Sequence, residues 1–353
     1  MKNRIIALDY LRVLGALLVV AVHADNITIS PSNFLGGISW WFATSVNTFG
    51  RIAVPLIVMI SGALIFRSSK TTSFGELLKR SWRRIILPGI FWITLYFIWQ
   101  NKWYNFGLQP NYIFSQLYHS SFGYLHYLFI ILGLYLATPL LQKIPVNHRS
   151  QIAWGSMAAM VIFEYIRYRG TSWGWTGDTP WLWISYIPYY LLGSVLLETK
   201  LSKLGSYLLA IFGAISLAGA IISTYYANLG TISGDTVWWM FHGASYFWGH
   251  FSITDCLVTI AVYYFSIQLL RNGLSQKLDK AVASVGAATY GIYLSHFRVM
   301  DAIDHYGHFG IQYATHDLWL YYIIRILLIY SFAYAVVVVI RLVRLNRVLL
   351  GEV

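Results

Sequence analysis

About ten times along the 353-residue chain an apolar run close to the length of a membrane span recurs. Hydrocarbon offers no water to exposed amides, so a run of this kind must close every backbone hydrogen bond within itself, as a helix does. A core ~30 Å thick takes about 20 such residues to cross. This feature restricts the chain to an all-α, polytopic membrane fold. The predicted helices fall near residues 5–24, 46–66, 84–100, 122–141, 151–167, 181–198, 206–226, 246–270, 282–300 and 318–340. Only 11% of the residues are charged, against roughly 25% in a soluble domain. No linker, repeat or appended soluble segment interrupts the pattern, so residues 1–353 read as one integral membrane domain.

The formal net charge is +12, but the basic residues do not form a nucleic-acid surface. They gather in alternate short connections, including Lys2 and Arg4, Arg67 to Arg84, Lys143 and Arg149, Arg271 to Lys280, and Arg341 to Arg347. The other connections hold Lys102, Arg167 and Arg169. Basic residues stay on the cytoplasmic side, which predicts both termini inside and an even number of spans. Trp40, Trp41, Trp173, Trp175, Trp238 and Trp239 stand at run ends, where an interfacial belt is expected. Cys256, the single cysteine, excludes an intrachain disulfide and a cysteine-based zinc site. The first run is broken by charge and lacks a small-residue cleavage pattern, so it reads as a span and not a signal peptide.

That first run, LDYLRVLGALLVVAVHA from Leu8 to Ala24, carries Asp9, Arg12 and His23. An ionisable group at mid-membrane costs at least ~2.5 kcal/mol, so such groups mark pathways or reactive sites. At ~100° per residue, the steps from Arg12 to His23 return to within about 20° of one direction, and Asp9 lies within about 60° of both. Asp9 precedes Arg12 at the spacing where side chains pair. One helix therefore bears a polar stripe, with Arg12 and His23 ~16 Å apart along its axis. Snorkelling would explain a lone arginine near a helix end, but not a matched stripe.

The predicted orientation gathers other polar groups at one depth. His23, Arg51, His126, Glu164, His296, Arg298 and Arg325 fall in the outer half, Asp255 falls near the middle, and Asp9 and Arg12 lie toward the inside. On the inner side, Arg80, Arg83 and Arg84 lead into the third helix. They are topology signals in any membrane protein, and their guanidinium forks also match phosphate. The sequence contains no P-loop, dinucleotide fingerprint, nucleophile elbow or zincin motif. The run with Asp301, Asp304, His305, His308 and His316 reads as a solvated loop, so no metal is expected.

DYLRVLGALLVVAVH (Asp9 to His23), RIAVPLIVMISGALIF (Arg51 to Phe66), RSWRRIILPGIFW (Arg80 to Trp92), YLHYLFIILGLYLATPLL, YIPYYLLGSVLL and SVGAATYGIYLSHF occur in that order and cover most of the chain. Together they resemble the acyltransferase-3 family of bacterial membrane acyltransferases, in its stand-alone form. Tyr124 and His126 depart from a commoner His-Leu-Trp-Phe-Leu pattern of that family. The resemblance implies a multi-pass protein of the bacterial cytoplasmic membrane. Its implied reaction moves an acyl group, usually acetyl, from cytoplasmic acyl-CoA to a hydroxyl of an extracytoplasmic sugar or glycan. It points to His23 and Arg12 as the core pair, supported by Arg51 and the basic loop; the i, i+3 spacing adds Asp9 to the catalytic set as the partner of Arg12. Arg51, His126, Glu164, His296, Arg298 and Arg325 are candidates for contacting substrate or its oxyanion, and Arg80, Arg83 and Arg84 for holding the CoA phosphates. The partners implied are acyl-CoA, a glycan acceptor and membrane lipid, with no nucleic acid.

The residues read alone agree with that chemistry, since a histidine suits a general base toward a hydroxyl and equally suits a covalent acyl carrier. They also leave open a secondary transporter whose proton or solute path runs through Asp9, Arg12, His23, Glu164 and Asp255, or a glycan flippase. Transporters commonly show two related halves with matching interrupted helices, and none is evident here.

Overall fold

A computed structural model describes residues 4–25, 35–67, 73–104, 109–118, 125–168, 181–233, 246–247, 249–308 and 318–352. Among these residues the fold is entirely helical, with no β-strand. The chain opens with α1 (Ile6–Ala24), α2 (Ile38–Gly50) and α3 (Ala53–Arg67). Next come the short α4 (Phe74–Ser81) and a π-helical turn (Trp82–Ile86), leading into α5 (Leu87–Tyr104). Then come α6 (Pro110–Tyr118), α7 (His126–Leu141), α8 (Val146–Tyr168), α9 (Leu182–Ser185) and α10 (Ile187–Glu198). The remainder is α11 (Lys203–Ser233), α12 (Ile253–Leu270), α13 (Gln276–Tyr306), α14 (Leu318–Leu342) and the single turn α15 (Asn346–Leu349).

The polar stripe lies on a helix surrounded by five others. α1 packs against α2, α3, α12, α13 and α14, and its residues from Ala7 to Ala24 are largely buried. Asp9, in the first turn, suits the positive end of the helix dipole. Beside it, α3 and α10 meet backbone to backbone. A Cβ on Gly62 would lie 1.8 Å from the Tyr190 carbonyl oxygen, and one on Gly193 1.9 Å from that of Met59. Small residues allow this approach where lipid supplies no hydrophobic drive between helices.

Each predicted span overlaps helix, two of them a pair of helices, but among the described residues five stretches are long and apolar enough to cross a membrane: Ile6–Ala24, Ile38–Arg67, Lys203–Leu229, Ile253–Leu270 and Trp319–Leu342. The others are shorter or more polar. α7 has 16 residues and α10 has 12, because the sixth run is divided at Tyr186 just ahead of Pro188. Boundaries also move. The second run starts earlier, at Ile38, and breaks between Gly50 and Ala53. The ninth continues to Tyr306, so Asp301, Asp304 and His305 are helical and not in a loop. Trp40 is fully buried and meets Trp41 and Tyr225 edge-on, where an interfacial position was expected. Lys2, Lys70, Arg169, Trp173, Trp175, Trp238, Trp239 and His316 lie outside the described residues.

The bundle has two chemically distinct ends. At one, Arg4 donates to the Ala283 carbonyl (3.1 Å), Trp92 Nε1 to the Leu349 carbonyl (2.9 Å), and Arg341 to the Ala287 carbonyl (3.0 Å). Glu352 pairs with Arg341 at 2.6 Å, and Gly351, at φ +63°, lies against the Arg84 backbone. Four of the segments predicted to share the inner side thus share one end. At the other end, Tyr322 donates to the Ala21 carbonyl (2.6 Å) and Asn47 to Asp25 (2.8 Å).

Candidate functional site

His23 reaches this second end on the last turn of α1, half-buried. His296 of α13 stacks on it, with ring centroids 5.4 Å apart and planes 22° apart. Arg51, His126 and His250 also stand close enough for their charges to act on His23. Four predicted residues from four helical segments therefore converge, and with them one histidine, His250, that the sequence reading did not single out.

The reason His250 belongs there lies in Pro55. A helical N–H at position 55 would bond the carbonyl of Arg51, and proline has none. The backbone breaks at this point, with α2 ending at Gly50 and α3 starting at Ala53. The freed Arg51 carbonyl accepts a hydrogen bond from His250 Nδ1 at 3.1 Å. A carbonyl can only accept, so the His250 proton sits on Nδ1 and its Nε2 is left as an acceptor. The backbone of His250 is held in turn, its carbonyl accepting from Tyr189 at 2.9 Å. The signal was legible as a proline four residues after a polar residue in an apolar run.

His296 has the same chemistry in a more enclosed setting. It is fully buried, and its Nδ1 donates to the Tyr293 carbonyl at 2.6 Å. Its Nε2 is buried without a hydrogen-bond partner among the described residues. Asp255 lies in the first turn of α12, where the Ser252 cap accepts from its backbone N–H at 3.1 Å. Its carboxylate is within electrostatic reach of Arg51 and lines a small cavity with Thr48, Thr254 and Phe247.

Three other predicted candidates are engaged locally. Glu164 is bound by Arg167 of its own helix at 2.6 and 2.9 Å. Arg298 pairs with Asp301 at 3.1 Å and lies over the rings of Tyr96 and Phe297. Arg325, almost wholly buried, pairs with Asp304 of α13 at 2.5 Å. Buried guanidinium groups need such partners, because an unpaired charge in low dielectric is costly. These pairs also account for the extra turns of α13. His305 of the same run packs on Trp103 at 4.2 Å, and no group of three or more potential metal ligands occurs among the described residues.

At the opposite end of α1, buried Asp9 is clamped from two sides, by Arg12 at 2.9 Å and by Arg4 at 2.5 Å. Arg12 is about a third exposed and acts electrostatically on Tyr127 and Tyr135 of α7. Arg84 acts on Tyr135 as well. Arg80, Arg83 and Arg84 are exposed, presented by an amphipathic turn whose Leu77 is buried and whose Ser73 caps α4, accepting from Glu76 N–H at 3.3 Å. Between the two ends runs a line of rings: Tyr290 and Tyr293 at 6.4 Å, Tyr127 and Tyr293 at 5.3 Å, Tyr293 and His296 at 5.9 Å.

The chain matches the family model Acyl_transf_3, described as an acyltransferase domain, over residues 5–342. Neither a curated relative nor a solved structure matches.

Proposed function

Because the chain belongs to the acyltransferase-3 family, a family of membrane acyltransferases, we propose that it carries an acetyl group from cytoplasmic acetyl-CoA to a hydroxyl of an extracytoplasmic sugar or surface glycan. In this reading the protein sits in a bacterial cytoplasmic membrane with about ten spans and both termini inside. The observation that carries it is the division of one buried helix. α1 joins an end rich in exposed arginine to an end where imidazoles collect around His23. Arg80, Arg83 and Arg84 hold the CoA phosphates as point and fork charges. Arg12, fixed by Asp9, faces the start of the tyrosine line that leads toward His296 and His23.

His23 then acts on the reacting carbonyl, as base toward the hydroxyl or as the transient carrier of the acyl group. Arg51, within electrostatic reach of it, would stabilise a developing oxyanion. The test is incorporation of labelled acetyl from acetyl-CoA into glycan, in membranes with and without the protein. Incorporation only in its presence supports the proposal. A protein that binds no acetyl-CoA and transfers no label sinks the donor assignment and returns attention to a transport path.

A further inference from the structure

Two histidines at the site, His250 and His296, have their proton fixed on Nδ1 by a backbone carbonyl. Of the two, His296 alone leaves Nε2 buried with no partner among the described residues. An unsatisfied buried acceptor costs about 1–3 kcal/mol, and a fully buried ring in a well-packed bundle has no structural need to bear that. The ring stacks against that of His23, with centroids 5.4 Å apart, so a group carried on His23 shares one small volume with this imidazole.

Resting on the acyl-transfer reading above, we propose that the two histidines divide the reaction. His23 carries the acyl group and His296 Nε2 takes the proton of the incoming hydroxyl. In the first half, a His23 nitrogen attacks the thioester carbonyl carbon and the C–S bond breaks. The departing sulfur leaves as CoA thiol with the proton from the other His23 nitrogen. In the second half, the acceptor oxygen bonds to the acyl carbon of His23 and its proton passes to His296 Nε2. The C–N bond to His23 breaks, and His296 returns the proton to the His23 ring. Ester and free CoA are the net products, and both histidines end neutral. The Tyr293 carbonyl makes this possible by excluding the tautomer in which Nε2 would carry a hydrogen and accept nothing.

The experiment compares wild type, His23→Ala and His296→Asn with labelled acetyl-CoA and two acceptors, endogenous glycan in membranes and added hydroxylamine. Asn keeps an N–H able to reach the Tyr293 carbonyl and removes the basic nitrogen. Hydroxylamine is nucleophilic without help from a base and traps an acyl-histidine as hydroxamate. The expected result in His23→Ala is loss of glycan acetylation and of all hydroxamate beyond what hydroxylamine forms from acetyl-CoA without protein. For His296→Asn, glycan acetylation falls at least about a hundredfold while hydroxamate stays within a few-fold of wild type. Glycan acetylation near wild type in His296→Asn overturns the assignment, and so does equal loss of both products in protein of normal yield and melting temperature. If the Asn variant does not accumulate, His296→Gln takes its place under the same criteria. A wild-type protein that makes neither product contradicts the acyl-CoA reading itself, an outcome distinct from failure of the histidine assignment.

Discussion

The two ends of α1 handle buried polarity in opposite ways. Around Asp9 every strong group is used: both carboxylate oxygens are engaged, each by a different arginine, and the nearby Tyr10 donates to Asp279 at 2.9 Å. Around His23 the bonding is left incomplete. His296 Nε2 and one oxygen of Asp255 are buried without partners among the described residues, and His250 is bonded through Nδ1. A saturated cluster fixes geometry, whereas a lone pair left open can accept a proton. On the proposed function the first end positions and the second reacts, and each substitution below strains one side of that contrast.

Removing His23 has the largest expected effect. His23→Ala should lower acyl transfer by about a hundredfold or more, the range set by base or nucleophilic catalysis. Acetyl-CoA binding should change little, because the arginines lie at the far end of the helix. Transfer within a few-fold of wild type, at matched protein level, would erase the distinction between the ends.

Asp9→Ala comes next, and its readout is stability. It leaves Arg4 and Arg12 facing a buried cavity without their carboxylate. Both guanidinium groups are partly exposed, at 43% and 32%, so water recovers some of the loss. A cost of about 1–3 kcal/mol should appear as a lower melting temperature in detergent, with activity falling in step as Arg12 loses its place. An unchanged melting temperature would mean that the clamp is not structural.

What could be read from the sequence follows from what kind of contact was involved. The stripe on α1 was legible because helical periodicity alone aligns Asp9, Arg12 and His23, and the Asp9–Arg12 pair forms as the spacing predicts. The gathering of Arg51, His126 and His296 on His23 was legible only as shared depth. Depth was a weaker guide for Glu164, Arg298 and Arg325, which answer to carboxylates or arginines nearby. For Glu164 and Arg298 the partner stands three residues along, at Arg167 and Asp301, and that spacing was available to be read. Arg325–Asp304 joins two helices and was not. His250 was missed because it binds a backbone carbonyl freed by a proline, a relation invisible to any count of charged side chains. Among the described residues five helical stretches meet the length and hydropathy of a span, and apolar windows ignore breaks such as the one at Tyr186.

Pro55→Ala tests that proline directly and should have a smaller effect. Alanine restores an N–H that competes with His250 for the Arg51 carbonyl. Losing one hydrogen bond of about 0.5–1.5 kcal/mol should reduce transfer by up to about tenfold, while global stability stays level or rises as the helix heals. Full activity in this variant would show that the break at Arg51 does not serve the site.

The smallest expected effect belongs to the exposed arginines. Arg80, Arg83 and Arg84 are solvated, and exposed charges attract over a Debye length of only ~8 Å at physiological salt. Replacing all three by Gln should therefore raise KM for acetyl-CoA several-fold, with the maximal rate nearly unchanged, because the proposed reacting atoms lie at the other end of α1. The sharper signature is ionic strength. In the wild type KM should climb as salt is added, whereas in the variant it should be nearly flat, and the two curves should converge at about 1 M salt, where screening falls to ~3 Å. A drop in maximal rate with KM unchanged would place these arginines in the chemistry and not in binding, merging the two ends. An unaltered KM and salt slope would leave them as markers of the inner membrane face, and the phosphates of the donor would have to be held elsewhere at this end, with Arg12 the next cation to test.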